Sequence, residues 1–89
     1  MGETDIREIL LDYLTKEVIE SPGARVRPDT ALLELGILNS LSTMRLTSFI
    51  HRRFEVEIPL EDMVGRNFKD VNSISRLVAG LLEGSSEQG

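Results

Sequence analysis

Apolar residues recur at helical spacing in three stretches of the 89-residue chain. In the first, Ile6, Ile9, Leu10, Tyr13, Leu14 and Val18 share one face of a helix expected over about Glu3 to Glu20. Glu3, Asp5 and Glu8 come early, where the helix dipole favours acids. Ser21-Pro22-Gly23 is a stop signal. In the second, Leu46, Ile50 and Phe54 are spaced by four within a helix expected over about Ser40 to Phe54, with Leu41 and Met44 on an adjoining edge. Asn39 stands before it as an N-cap, because its side-chain oxygen can accept an orphan backbone N–H. The third, Ile74, Leu77, Val78 and Leu81, defines a helix over about Asn72 to Leu82, with Phe68 and Val71 anchoring the turn before it.

The segments between are less regular. From Ser21 to about Asn39 runs a connection holding Pro22, Gly23, Pro28 and Gly36. Connections of this length are uncommon in compact domains unless they do something. Its one apolar knot, Ala31 to Leu35, predicts a helical turn packed on the core and closed by Gly36. Val56-Glu57-Ile58-Pro59 is extended, since a residue before proline avoids the helical region. Leu60 to Val64, between Pro59 and Gly65, predicts a short helix. The order is long helix, long loop, long helix, short helix, long helix, an all-α bundle of about four. Expected core positions are Leu46, Ile50, Phe54, Ile58, Phe68, Val71, Ile74 and Leu77. Residues 1–84 form the expected domain, and 85–89 a disordered polar tail.

Composition narrows the function. A chain this short buries one modest core and has little room for a deep pocket, so function belongs on its surface. The net charge of −5 argues against bulk nucleic-acid binding, which needs clustered cations. With no cysteine there is no disulfide, thiolate zinc site or thiol nucleophile, and His51 as sole histidine excludes a His-based metal cluster or triad. No apolar run is long enough to span a bilayer, and the acidic N-terminus is not a signal peptide. Met1-Gly2 opens like a myristoylation signal, but Ile6 stands where Ser or Thr is required. These features predict a soluble, cytoplasmic monomer that binds neither membrane nor nucleic acid.

Few residues offer chemistry. Glu55/Glu57 and Glu61/Asp62 are the solvated carboxylates of any acidic helical protein. Ser40 and His51 lie eleven residues apart on one predicted helix, about 16 Å along its axis, too far to act as a pair. Ser40 itself has two readings. Serine is an ordinary helix starter. Yet this one follows a long loop and sits at a helix N-terminus, where free N–H groups and the dipole favour an anion such as a phosphate ester.

The run Leu35-Gly36-Ile37-Leu38-Asn39-Ser40-Leu41, followed by Met44, Leu46, Ile50 and Phe54, then Phe54–Pro59 and Asn67–Val78, resembles the acyl carrier and peptidyl carrier protein family over about Ile6 to Leu82. The resemblance implies a four-helix bundle of the acyl-carrier type with a long first loop and a short third helix. It implies that Ser40 carries 4′-phosphopantetheine, transferred from coenzyme A by a phosphopantetheinyl transferase, with Asn39 and Leu41 bordering the attachment. The arm's thiol would hold an acyl or aminoacyl group as a thioester, set there by a loading enzyme and passed to a downstream synthase or transferase. The chain would be a carrier and not an enzyme. Leu38, Met44 and Arg45, with Val64 and Arg66 as a second edge, would face the partners.

Two departures stand out. Asn39 replaces the family's aspartate, keeping the cap but losing the charge that the transferase or its metal meets. The second helix, acidic in fatty-acid carriers, here holds Arg45, His51, Arg52 and Arg53 and no acid, formally +3 against −8 elsewhere. Rim charge of the wrong sign rejects partners, so dedicated enzymes with neutral or acidic docking faces are expected. The loop and the Gly65-Arg66-Asn67-Phe68 lead-in look most like free-standing carriers, either D-alanyl carriers or those of polyketide and nonribosomal peptide pathways. Two alternatives remain: a helical interaction module without a prosthetic group, and a helix-turn-helix DNA binder, which the acidic charge disfavours.

Overall fold

In a computed structural model, the structure describes residues 2–18 and 26–88, covering the backbone alone at Val18 and at 85–88. The predicted Ser21-Pro22-Gly23 stop lies outside the described residues, as does the expected end of the first helix at Glu20. The described residues hold four α-helices: α1 (Glu3–Tyr13), α2 (Ser40–Phe54), a short α3 (Gly65–Phe68) and α4 (Val71–Gln88). Among the described residues there is no strand, so the all-α architecture is as the periodicity predicts.

α1 and α4 form the base of the fold and pack along each other. Ile6, Leu10 and Leu14 are fully buried at a spacing of four. Opposite them, α4 buries Val71, Ile74, Ser75 and Val78, the i, i+3, i+4, i+7 stripe of an amphipathic helix. Leu77, read as core, and Leu81 are half-buried at the margin of that stripe. α4 begins at Val71 because the Asp70 carboxylate accepts the Ser73 N–H at 2.8 Å, a cap that places its start just before the predicted Asn72. Its backbone runs through 85–88, part of the expected tail. α1 ends earlier than expected as an α-helix: Leu14–Val18 continues it as a π-helical turn. The β-branched Thr15 and Val18 have low helix propensity in this segment.

α2 matches its predicted limits, and Leu46, Ile50 and Phe54 are all buried. Aromatic rings tie it to the end of α1. Tyr13 stacks on Phe49 at 4.1 Å between ring centroids, and Phe49 meets Phe54 edge-to-face at 6.5 Å. α2 ends at Glu55, whose φ of 55° and ψ of 42° are left-handed, a conformation glycine usually supplies. His51 Nδ1 lies 3.2 Å from the Val56 carbonyl oxygen and holds the chain as it turns away.

The described part of the long loop, 26–39, is docked against the bundle. Val26, Leu32 and Leu38 are buried. The Leu32 N–H donates to Lys69 O at 2.8 Å and the Asn72 N–H to Pro28 O at 3.0 Å, fastening the loop to the α3–α4 junction. The expected helical turn forms, with Leu35 N–H donating to Ala31 O, and Gly36 closes it at φ +74°. Of that apolar knot Leu32 is the core residue, while Leu33 and Leu35 are exposed.

Residues 60–68 depart from expectation. In place of one helix from Leu60 to Val64, a 3₁₀ turn covers Leu60–Asp62 and α3 starts afresh at Gly65, which opens a helix rather than closing one. No side chain of the 3₁₀ turn is buried, and Leu60 is 86% exposed, so no apolar anchor extends it. The Asn67 amide donates to Asp62 O at 2.8 Å, a carbonyl that a longer helix would have used internally.

Two substitutions test this account by urea unfolding. Glu55→Gly should stabilise the fold by up to about 1 kcal/mol by relieving the left-handed backbone. Ser75→Ala should be neutral or stabilising by about 1 kcal/mol, because the fully buried Ser75 Oγ has no hydrogen-bond partner among the described residues.

Candidate functional site

The start of α2 separates two serines that the sequence places side by side. Asn39 has extended backbone (φ −124°, ψ −171°), and its Oδ1 accepts the Ser42 N–H at 3.0 Å. The Asn39 N–H in turn donates to Ser42 Oγ at 2.8 Å, completing a capping box. The Ser42 hydroxyl donates to Ile37 O at 3.0 Å and so ties the helix start to the loop. The Thr43 N–H donates to Asn39 O at 2.9 Å, beginning the helical ladder.

Ser40 takes no part in this network. It is the first residue of α2, it is exposed, and its hydroxyl makes no hydrogen bond among the described residues. The Ser40 and Leu41 N–H groups have no partner there either, and the first turn of α2 contains no acid. The helix-starting role weighed for Ser40 therefore belongs to Asn39 and Ser42. The result is a free nucleophilic hydroxyl at the positive end of a 15-residue helix beside two open N–H donors, an arrangement suited to a phosphate ester.

The residues expected to face partners divide in the structure. Leu41 and Met44 are each 65% exposed, Arg45 is exposed, and all three line one shallow groove with Phe49 of α2, opposite Tyr13 of α1 and Glu17 of the turn that continues it. Val64 caps α3 and Arg66 lies within it; both are exposed and outside that groove. Leu38 must be corrected: it is 3% exposed and belongs to the core, held by its N–H donating to Leu32 O at 3.0 Å. Ser42 is the residue that sequence reasoning missed. Its signal was the i, i+3 spacing from Asn39, disguised because serine stands where a capping box usually has Glu or Gln.

A family model described as a phosphopantetheine attachment site matches residues 6–81. The chain is 31% identical over 77 residues to a D-alanyl carrier protein of Staphylococcus xylosus, covering 86% of this chain and 97% of that one. It is 27% identical over 79 residues to a D-alanyl carrier protein of Streptococcus suis, covering 89% and 94%. Among solved structures, a chain in the crystal structure of an FAD-dependent dehydrogenase superposes with a TM-score of 0.75 and 30% identity, over 79% of this chain and 99% of that one. A chain in the Bradyrhizobium japonicum glycine:[carrier protein] ligase complexed with glycylated carrier protein has the same fold, with a TM-score of 0.63 and 23% identity over 84% and 96%.

The capping geometry predicts that the neighbouring serines respond differently to truncation. Ser42→Ala should lower stability by about 1 kcal/mol. Ser40→Ala should stay within about 0.5 kcal/mol of the native chain in the same urea titration.

Proposed function

Since the chain belongs to the phosphopantetheine-attachment family of carrier proteins, we propose that Ser40 is the attachment residue and that the cargo is a small aminoacyl group. The observation that carries the proposal is the freedom of the Ser40 hydroxyl, exposed and outside the cap that starts α2. The residues present fit 4′-phosphopantetheine, the family's covalent cofactor. The Ser40 and Leu41 N–H groups would meet the phosphate, Asn39 would border it while keeping its cap, and no carboxylate of the first turn opposes the negative charge. When bound, the group supplies a thiol able to hold an acyl or aminoacyl group as a thioester, in a chain that has no cysteine of its own.

The aminoacyl cargo is favoured by the relatives, which are D-alanyl carriers, and by the glycylated carrier protein that shares the fold. These relatives support an aminoacyl pathway ahead of the polyketide or nonribosomal peptide setting. The partners that follow are a phosphopantetheinyl transferase, an aminoacyl-loading enzyme and an acceptor enzyme, the chain itself performing no catalysis. Residues 1–84 serve as the carrier domain, with 85–89 as its tail. We place the protein in the cytoplasm; no helix among the described residues is long and apolar enough to cross a membrane.

Incubation with coenzyme A, magnesium and a broad-specificity phosphopantetheinyl transferase, read by intact mass, tests the proposal. The native chain should gain one phosphopantetheine and Ser40→Ala none. Modification of the Ser40→Ala chain, or a folded native chain that gains nothing, would overturn it and favour an interaction module without a prosthetic group.

A further inference from the structure

Capping alone does not explain the side chain at position 39. α4 is capped by a carboxylate, with Asp70 Oδ1 accepting the Ser73 N–H at 2.8 Å. α2 is capped over the same i, i+3 spacing by a carboxamide, with Asn39 Oδ1 accepting the Ser42 N–H at 3.0 Å. Asn and Asp are comparable caps, and the positive end of a helix further favours the charged one. α1 follows that rule, with Glu3 and Asp5 in its first turn. Yet from Leu35 to Phe54, the stretch that contains Ser40, there is no carboxylate, in a chain that has 15.

The hydrogen bonds fix which way the Asn39 carboxamide faces. A backbone N–H needs an acceptor, so Oδ1 and not Nδ2 lies toward Ser42. Ser42 Oγ lies 3.3 Å from the same oxygen and is itself tied to Ile37 O and the Asn39 N–H. Nδ2 is at the opposite end of the carboxamide, and its two N–H groups have no partner among the described residues. Asn39 is exposed, so water satisfies these donors in the unmodified chain. With the open Ser40 and Leu41 N–H groups they form a set of neutral donors around one free hydroxyl. Such a set suits a monoanion. A carboxylate at position 39 could accept but not donate, and it would place a second negative charge beside that anion.

We propose that Asn39 uses both ends of its carboxamide. The oxygen caps α2, and Nδ2–H donates to a phosphodiester oxygen of the arm on Ser40, holding the root of the arm against the start of the helix. This deepens the attachment reading and rests on it.

The test compares unmodified chains with chains shown by intact mass to carry one phosphopantetheine, for the native protein, N39D and N39S. Aspartate keeps the cap, removes the donors and adds charge; serine keeps the cap and removes the donors without adding charge. Without the arm, the three chains should have unfolding equilibrium constants within about fivefold of one another in urea. Modification should lower the native constant by about fivefold more than that of N39S, with N39D gaining least. In proton–nitrogen correlation spectra of the native chain, one Asn39 Nδ2 proton should move downfield and exchange more slowly on modification, while the Ser42 N–H keeps its protection. Equal stabilisation of the native and N39S chains would overturn the proposal, as would N39D gaining as much as the native chain. Asn39 side-chain resonances unchanged by modification would also overturn it, and they decide the question on the native protein alone where a variant is not modified or does not fold. Loss of Ser42 N–H protection on modification would show the carboxamide leaving the cap for the phosphate, against the two-ended role. Intact mass measures the attachment reading separately. A native chain modified at Ser40 keeps that reading even where Asn39 proves idle, and one that gains nothing overturns both.

Discussion

The reciprocal hydrogen bonds between Asn39 and Ser42 set the phase of the whole functional face. They fix where α2 begins, and a helix whose start is shifted by one residue turns every side chain by about 100°. The start is held from both sides. Leu38 is sunk in the core just before it, and the Ser42 hydroxyl reaches back to the Ile37 carbonyl. Farther along, Leu46, Ile50 and Phe54 lock the same phase by burial. With the cap and the core in agreement, Ser40 is left at the first position with no hydrogen-bond partner among the described residues, while Leu41, Met44, Arg45 and Arg52 are turned outward.

That arrangement depends on a loop that behaves as part of the body. Val26, Leu32 and Leu38 anchor the described loop in the core, and its backbone bonds to the junction of α3 and α4. The loop thus delivers Asn39 to one place, and the strain of turning the chain is taken by Gly36, where a positive φ is inexpensive. In so small a domain the core is consumed by holding these elements together. Chemistry is left to the surface, and a chain without cysteine gains a thiol only through an attached group.

The charge distribution adds a second constraint. An acidic body with one basic helix face has a preferred orientation toward any charged partner. Arg53 is spent on packing over Phe54, so the cationic character of that face comes down to Arg45 and Arg52. The same helix thereby separates two tasks, presenting Ser40 on one side and a mixed apolar and cationic surface on the next.

Sequence by itself determined the class of the fold, the limits and inward face of α2, the cap at Asn39, the turn closed by Gly36, and Ser40 as the residue to examine. All of these rest on spacing and capping, which are interactions between residues near one another in the chain. Only the tertiary structure decided that Ser42, not Ser40, completes the cap, that Leu38 is core, that residues 60–68 break into two short turns, and which arginines stay free. Those outcomes depend on competition for partners. Leu38 is buried because Leu32 and the loop around it are fastened to Lys69, far along the chain. Leu60 cannot anchor a helix because no buried surface lies beneath it, and Arg53 leaves the free set because an aromatic ring happens to lie under it. A hydrophobic pattern records that a residue is apolar or charged, but whether a neighbour is waiting to cover it is settled when the elements pack.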